Sequence, residues 1–201
     1  KPHPKLEGTI YQAVEEIEKA GGKGLACQVD IRDEEMVATT IEKTVSTFGG
    51  IDILINNAGI MNLVNAGNEE NDLQKQMQEI EINYNSPIRL LHYFLPQLKK
   101  SKNAVLVNVS SGLAYVPFAQ APTYSGTKSA LHFWTQGIRP QLQPHNIKVV
   151  ELLPPVVDTP LAHGADIAED DNLKPLALSK GLSSSKRSSD TVIKVSLESS
   201  S

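Results

Sequence analysis

Apolar positions along the chain follow two alternating rhythms, one of helical spacing and one of unbroken runs. In LEGTIYQAVEEIEKA, Leu6 to Ala20, the residues Ile10, Val14 and Ile17 share one helical face, and Gly21 and Gly22 follow as a stop signal. GLACQVD, Gly24 to Asp30, reads as a short buried strand. Asp33 then caps a second helix with Met36, Val37, Ile41 and Val45 at helical spacing, closed by Gly49 and Gly50. IDILINN, Ile51 to Asn57, predicts a second strand, and Met61 to Asn71 a polar loop. The helical period from about Asp72 to Lys100 contains Pro87 and Pro96, each of which should bend or interrupt it. A third strand over Ala104 to Val109, a helix over Pro122 to Gln143 and a fourth strand over Ile147 to Leu153 complete the series. Continuous apolar strands between helices, without polar alternation, predict a parallel sheet buried on both faces, which is an α/β doubly wound fold.

Past Leu161 the pattern decays, and ten of the 23 residues from Ser179 to Ser201 are serine, too polar to offset the entropy of ordering. The chain therefore divides into a domain over residues 1–164 and a degenerate, disordered Ser-rich tail over 165–201. Within that tail only VIKV, Val192 to Val195, has the composition of an edge strand. With 201 residues, 40% of them hydrophobic, the chain can bury a sizeable core. A net charge of -4 with no basic cluster argues against nucleic acid or an anionic membrane as partner. A lone cysteine, Cys27, in a predicted buried strand is expected to be inert packing, and an internal disulfide is ruled out. No run of about 18 apolar residues is present to span a bilayer, so a cytoplasmic chain is expected. Lys1-Pro2-His3-Pro4 shows neither an initiator methionine nor a signal-peptide pattern, and the chain reads as starting mid-domain. His3, His92, His132, His145 and His163 lack the mutual spacing of a metal site, and no metal is expected.

Tyr124 and Lys128 stand four residues apart on the predicted fourth helix and so leave the same face one turn apart. Bringing a tyrosine from about 10 to about 7 takes roughly 4 kcal/mol of preference for the phenolate. An ammonium at about 4 Å supplies that at an effective dielectric of about 20, but only about 1 kcal/mol in bulk water. Burial decides whether the pair is chemical or an ordinary surface contact. Ser111 lies at the end of the third predicted strand, where an open α/β sheet receives a ligand, although Ser110 and Ser111 also suit a plain polar turn. Asn56-Asn57-Ala58-Gly59 ends the second strand with small residues that let a flat ring approach the backbone, and Asp30 ends the first, where helix capping is its other use.

Asn-Asn-Ala-Gly after one strand, Ser111 after the next, Tyr124-x-x-x-Lys128 on the following helix and PPVVDT after the last strand together resemble the short-chain dehydrogenase/reductase family, from about Gly24 to Leu161. The first half looks like hydroxysteroid dehydrogenase-like proteins, and the second half like uncharacterised bacterial short-chain oxidoreductases. A mosaic, a composite gene model or a divergent member would each produce that division. The resemblance implies a Rossmann-like fold, here lacking its first strand-helix-strand unit. It implies Tyr124 as general acid/base, Lys128 lowering the tyrosine's pKa and holding the nicotinamide ribose, and Ser111 orienting the substrate oxygen. Asn83 in IEINYN matches the asparagine that holds a proton-relay water, and equally suits a buried polar residue at a helix irregularity near Pro87. Asp30 and Ile31 match adenine contacts, Asn57, Ala58 and Gly59 the cofactor-lining turn, and Pro154, Val157 and Thr159 the nicotinamide-side loop.

Two departures stand out. None of the thirteen glycines occupies the family's phosphate loop between a first strand and first helix, and Pro154-Pro155 replaces its usual Pro-Gly. The leading expectation is an NAD- or NADP-dependent oxidoreductase acting on a small-molecule secondary alcohol or ketone, with the choice of nicotinamide unreadable. A non-catalytic nucleotide-sensing or protein-binding relative, or an incomplete fragment without activity, stands against it. Phe133 and Trp134 suit core or interface positions, and the family's packing of the corresponding helix implies a homo-oligomer.

Overall fold

The computed structural model describes residues 10–68, 72–154 and, as backbone, 192–195. Its elements are α1 (Ile10–Lys19), α2 (Glu34–Phe48), β1 (Ile53–Asn56), α3 (Leu73–Ile80), α4 (Ser86–Leu98), β2 (Val105–Val109), α5 (Pro122–Leu142), β3 (Lys148–Leu152) and β4 (Val192–Val195). The sheet runs β3-β2-β1-β4 with every pairing parallel. Parallel neighbours need crossovers, and the helices between β1, β2 and β3 provide them.

Register explains how the core and the polar site share one face. Leu54, Leu106 and Val149 lie side by side across β1, β2 and β3, and the two leucines are wholly buried. Two residues further on, and therefore on the same face, come Asn56, Asn108 and Glu151. The apolar row belongs to a cluster with Phe94 and Leu98 of α4, Ile41 of α2 and Ile138 of α5. The polar row is paired through side chains: Asn56 Nδ2 donates to Asn108 Oδ1 at 2.8 Å, and Asn108 Nδ2 donates to Thr135 Oγ1 of α5 at 2.9 Å, while Asn56 Oδ1 has no partner among the described residues.

Asp33 caps α2 as its sequence implies, accepting from the backbone N-H of Glu35 and Met36, and Gly49 closes that helix in the left-handed conformation at φ 89°. The prolines of the 72–100 stretch do not break it. A π-helical turn over Glu81–Asn85 links α3 to α4, and Pro87 falls at the first turn of α4, where its missing N-H costs little.

Two expectations need correction. Gly24 to Asp30 is irregular backbone, not a strand, and the edge of β1 is taken by β4. The tail is not uniformly without structure either, since Val192–Val195 pairs in parallel with Ile53–Asn56, while the rest of it lies outside the described residues. Helix α1 is present, but none of its residues is fully buried and Ile17 is 45% exposed. Its apolar face meets the returning chain so closely that a Cβ at Gly24 would lie 2.7 Å from Val14.

Phe94 is 1% exposed and joins α4 to the sheet. Phe94→Ala is expected to cost about 3–5 kcal/mol in urea unfolding, and a loss below about 1 kcal/mol would show that α4 does not anchor the core.

Candidate active site

Helix α5 begins with Pro122 at its first turn and presents Tyr124, Lys128 and His132 at successive four-residue steps, all three buried. The Lys128 ammonium donates to the carbonyl of Val109, the last residue of β2, at 2.9 Å, and lies 5.6 Å from the centroid of the Tyr124 ring. The lysine is therefore placed over the phenol's ring and tied to the carboxyl end of the sheet. Burial pulls its pKa down to about 8.

Tyr124 is 6% exposed and packs with Leu113, Phe118, Ala121 and Met61. Burial raises its pKa, a hydrogen bond with Ser111 works in the opposite direction, and the charge of Glu79 raises it further. The net shift is thus upward, opposite to the lowering expected from Lys128, because desolvation of the phenolate is the largest effect on it. Ser111 is half-buried just past β2 and caps a short 3-10 turn over Gly112–Ala114 by accepting from the Leu113 N-H at 3.2 Å.

Asn83 sits in the π turn and is 1% exposed. Its Oδ1 accepts from Ile60 N at 2.9 Å, while its Nδ2 donates to Ile60 O at 2.8 Å and to Thr127 Oγ1 of α5 at 3.1 Å. The side chain thus joins the loop after β1 to the catalytic helix candidate. A Cβ at Gly59 would lie 3.3 Å from Asn83 Oδ1 and 3.5 Å from Lys128 Nζ, so the turn after β1 has room for a hydrogen and little more.

The structure brings together Gly59, Asn83, Ser111, Tyr124 and Lys128. Ala58 packs against the core cluster, Asn57 is exposed at the end of β1, and Pro154 is half-buried just beyond β3. Asp30 and Ile31 have other engagements: Asp30 grips Arg32 through both carboxylate oxygens, at 2.6 Å for the closest pair, and the Ile31 side chain is buried in the core. Val157 and Thr159 lie outside the described residues. Among the described residues no group of His, Cys, Asp or Glu could hold a metal, and no helix is long and apolar enough to cross a membrane.

One buried group went unnoticed in the sequence. Glu79 is fully buried one turn before Asn83; its Oε2 accepts from Asn62 Nδ2 at 3.0 Å, and its Oε1 has no partner among the described residues. Burial raises its pKa, with the Asn62 hydrogen bond acting against the rise. Its spacing from Asn83 was the available signal, since residues four apart on a helix share a face.

The model of the short chain dehydrogenase family matches residues 5–170. The chain belongs to this family. The human hydroxysteroid dehydrogenase-like protein 2 is 41% identical over 142 residues, covering 69% of this chain and 33% of its own length. The uncharacterized oxidoreductase DltE of Bacillus subtilis is 36% identical over 134 residues, 67% of this chain and 53% of its own. A short chain dehydrogenase from Burkholderia cenocepacia, solved in complex with NADP, superposes with a TM-score of 0.63 at 29% identity, covering 71% of this chain and 58% of that one. The chain thus spans about a third of the length of the human relative and about half that of the bacterial one. Both halves of the divided resemblance are represented, and the Rossmann-like doubly wound reading of the fold holds.

Glu79 gives a pH-dependent test. Its folded pKa is raised, so the folded state holds a proton that the unfolded chain releases above about 4.5, and the burial penalty appears only above that pH. Glu79→Gln, which keeps an oxygen for Asn62, is expected to raise stability at pH 7 and to lose that advantage below about pH 4.5. Destabilisation at pH 7 would mean that the carboxylate charge itself holds the loop.

Proposed function

We propose that this chain carries the proton-transfer and substrate-binding part of an NAD- or NADP-dependent oxidoreductase that interconverts a secondary alcohol and a ketone. The observation that carries the reading is the convergence of the Tyr124 phenol, the Ser111 hydroxyl and the Lys128 ammonium in one buried site at the carboxyl ends of β1 and β2. Residues 1–164 form the partial dinucleotide-binding domain in this reading.

A carbonyl oxygen held between Ser111 Oγ and Tyr124 Oη would meet two hydroxyl donors, with Leu113, Phe118 and Met61 as apolar walls. Because burial keeps the phenol protonated, Tyr124 enters ketone reduction as the acid and gives its proton to the substrate oxygen as negative charge develops there. In alcohol oxidation the same oxygen takes the proton back. Ser111 orients the substrate oxygen, and Lys128 supplies the charge that makes the transient phenolate tolerable.

The nicotinamide end of a cofactor fits these residues. Lys128 is a buried cation whose one hydrogen bond among the described residues goes to Val109 O, which leaves N-H donors for ribose hydroxyls. When bound, the nicotinamide supplies or accepts the hydride. The diphosphate end finds less: the N-termini of α2 and α3 are already capped by the carboxylates of Asp33 and Asp72. The likeness to a solved dehydrogenase in complex with NADP supports a nicotinamide and leaves the choice between NAD and NADP open. Phe133, 70% exposed on α5, suits the self-association expected of the family.

Tyr124→Phe keeps the ring and its packing but removes the proton donor. Ketone reduction measured by nicotinamide absorbance is expected to fall at least about a hundredfold, with KM for the cofactor little changed. Undiminished turnover would remove Tyr124 from the acid/base role. Calorimetric titration of the 201-residue chain with NADH and NADPH is expected to show binding weaker than micromolar. Micromolar binding would show that a diphosphate cradle has been overlooked.

A further inference from the structure

Behind Ser111 lies a second buried cluster that the proposed chemistry leaves unused. Glu151 stands on β3 in the polar row of the sheet, and His132 stands on α5 one turn beyond Lys128. Both side chains are 8% exposed, and His132 Nδ1 lies 2.8 Å from Glu151 Oε2 and 3.0 Å from Oε1. The carboxylate is an acceptor, so Nδ1 carries the proton, and the Gln136 amide meets the other ring nitrogen at 2.6 Å.

Each member of this pair also holds one end of the segment that contains Ser111. At the near end, Ser110 Oγ donates to Glu151 Oε1 at 2.5 Å, and Ser110 N donates to the Leu152 carbonyl of β3 at 2.9 Å. At the far end, the Tyr115 hydroxyl lies 3.1 Å from His132 Nδ1, and its ring packs on the imidazole with centroids 4.6 Å apart. Between the two ends, Ser129 of α5 donates to the Ala114 carbonyl at 2.6 Å.

We infer that His132 and Glu151 form a buried clamp that positions Ser111 by fixing both ends of the Ser110 to Tyr115 segment. A buried polar pair of this kind contributes little net stability compared with packed apolar residues, whereas its hydrogen bonds fix direction. Direction is what this segment needs. Ser111 is extended, at φ -161° and ψ 157°, and its hydroxyl can face Tyr124 only if the 3-10 turn that it caps stays in place. His132 and Glu151 are positioning residues, and their importance for turnover rests on the function proposed above.

Amide hydrogen exchange on the 201-residue chain tests the clamp without any assay of activity. The reporters are the amides of Leu113, Ala114 and Tyr115, which donate to Ser111 Oγ, Ser111 O and Gly112 O. Glu151→Ala is expected to speed their exchange about tenfold while amides of α2 keep the wild-type rate. Glu151→Gln keeps one oxygen in the place of Oε1 that can accept from Ser110 Oγ and from His132 Nδ1, and is expected to restore part of that protection. Ser110→Ala, too small a change to endanger folding, should loosen the same three amides by a severalfold factor. Unchanged exchange in Glu151→Ala and Ser110→Ala would overturn the clamp, as would an equal rise throughout α2. Turnover then separates the two ideas. If the wild-type chain reduces no ketone while the exchange results stand, the proposed function fails and the clamp survives. If the enzyme is active, Glu151→Ala should lower kcat at least about tenfold with KM for the nicotinamide unchanged. Wild-type kcat with a loosened segment would overturn the positioning role.

Discussion

The ammonium of Lys128, buried and bonded to the last carbonyl of β2, ties the long helix α5 to the carboxyl end of the sheet. Burying that cation has a desolvation cost, seen as a pKa pulled down to about 8. The apolar row of the sheet, Leu54, Leu106 and Val149 with Phe94 packed nearby, holds the helix against the strands firmly enough to sustain it. With Lys128 fixed, Tyr124 one turn earlier is fixed too, along with its position beside Ser111. Asn83 then braces the other side, bonded both to Ile60 after β1 and to Thr127 on the same helix.

The same burial sets the chemistry apart from a simple reading of the tyrosine and lysine pair. A lysine four residues away suggests an activated phenolate, yet removal of water and the charge of Glu79 hold Tyr124 in its protonated form. In the proposed reduction of a carbonyl a protonated phenol would be the donor, and the nearby cation would limit the cost of the phenolate left behind.

Most of the site was legible because its parts stand at strand ends and at helical spacing. Tyr124 and Lys128 share a face by their four-residue spacing, and Ser111 and Gly59 follow the ends of β2 and β1. The irregularity around Asn83 was foreshadowed by Pro87, although its form, a π turn instead of a break, depends on packing against α5. Gly24 to Asp30 does not form the strand that its apolar run predicts, because a strand depends on its pairing neighbour as well as on its own residues, and β4 takes the place beside β1. The partnership of Ser110, Tyr115, His132 and Glu151 was invisible for a related reason. Those residues come from three separate stretches of chain, and only the register of β2 on β3 brings them together.

The buried cation is open to direct observation. In a nuclear magnetic resonance titration of lysine side chains, wild type compared with Lys128→Met assigns the Lys128 resonance. The expected midpoint is about 8, below the ordinary lysine value of about 10.4. A Lys128 midpoint at the ordinary value would contradict it, placing the ammonium in water and away from Val109 and Tyr124.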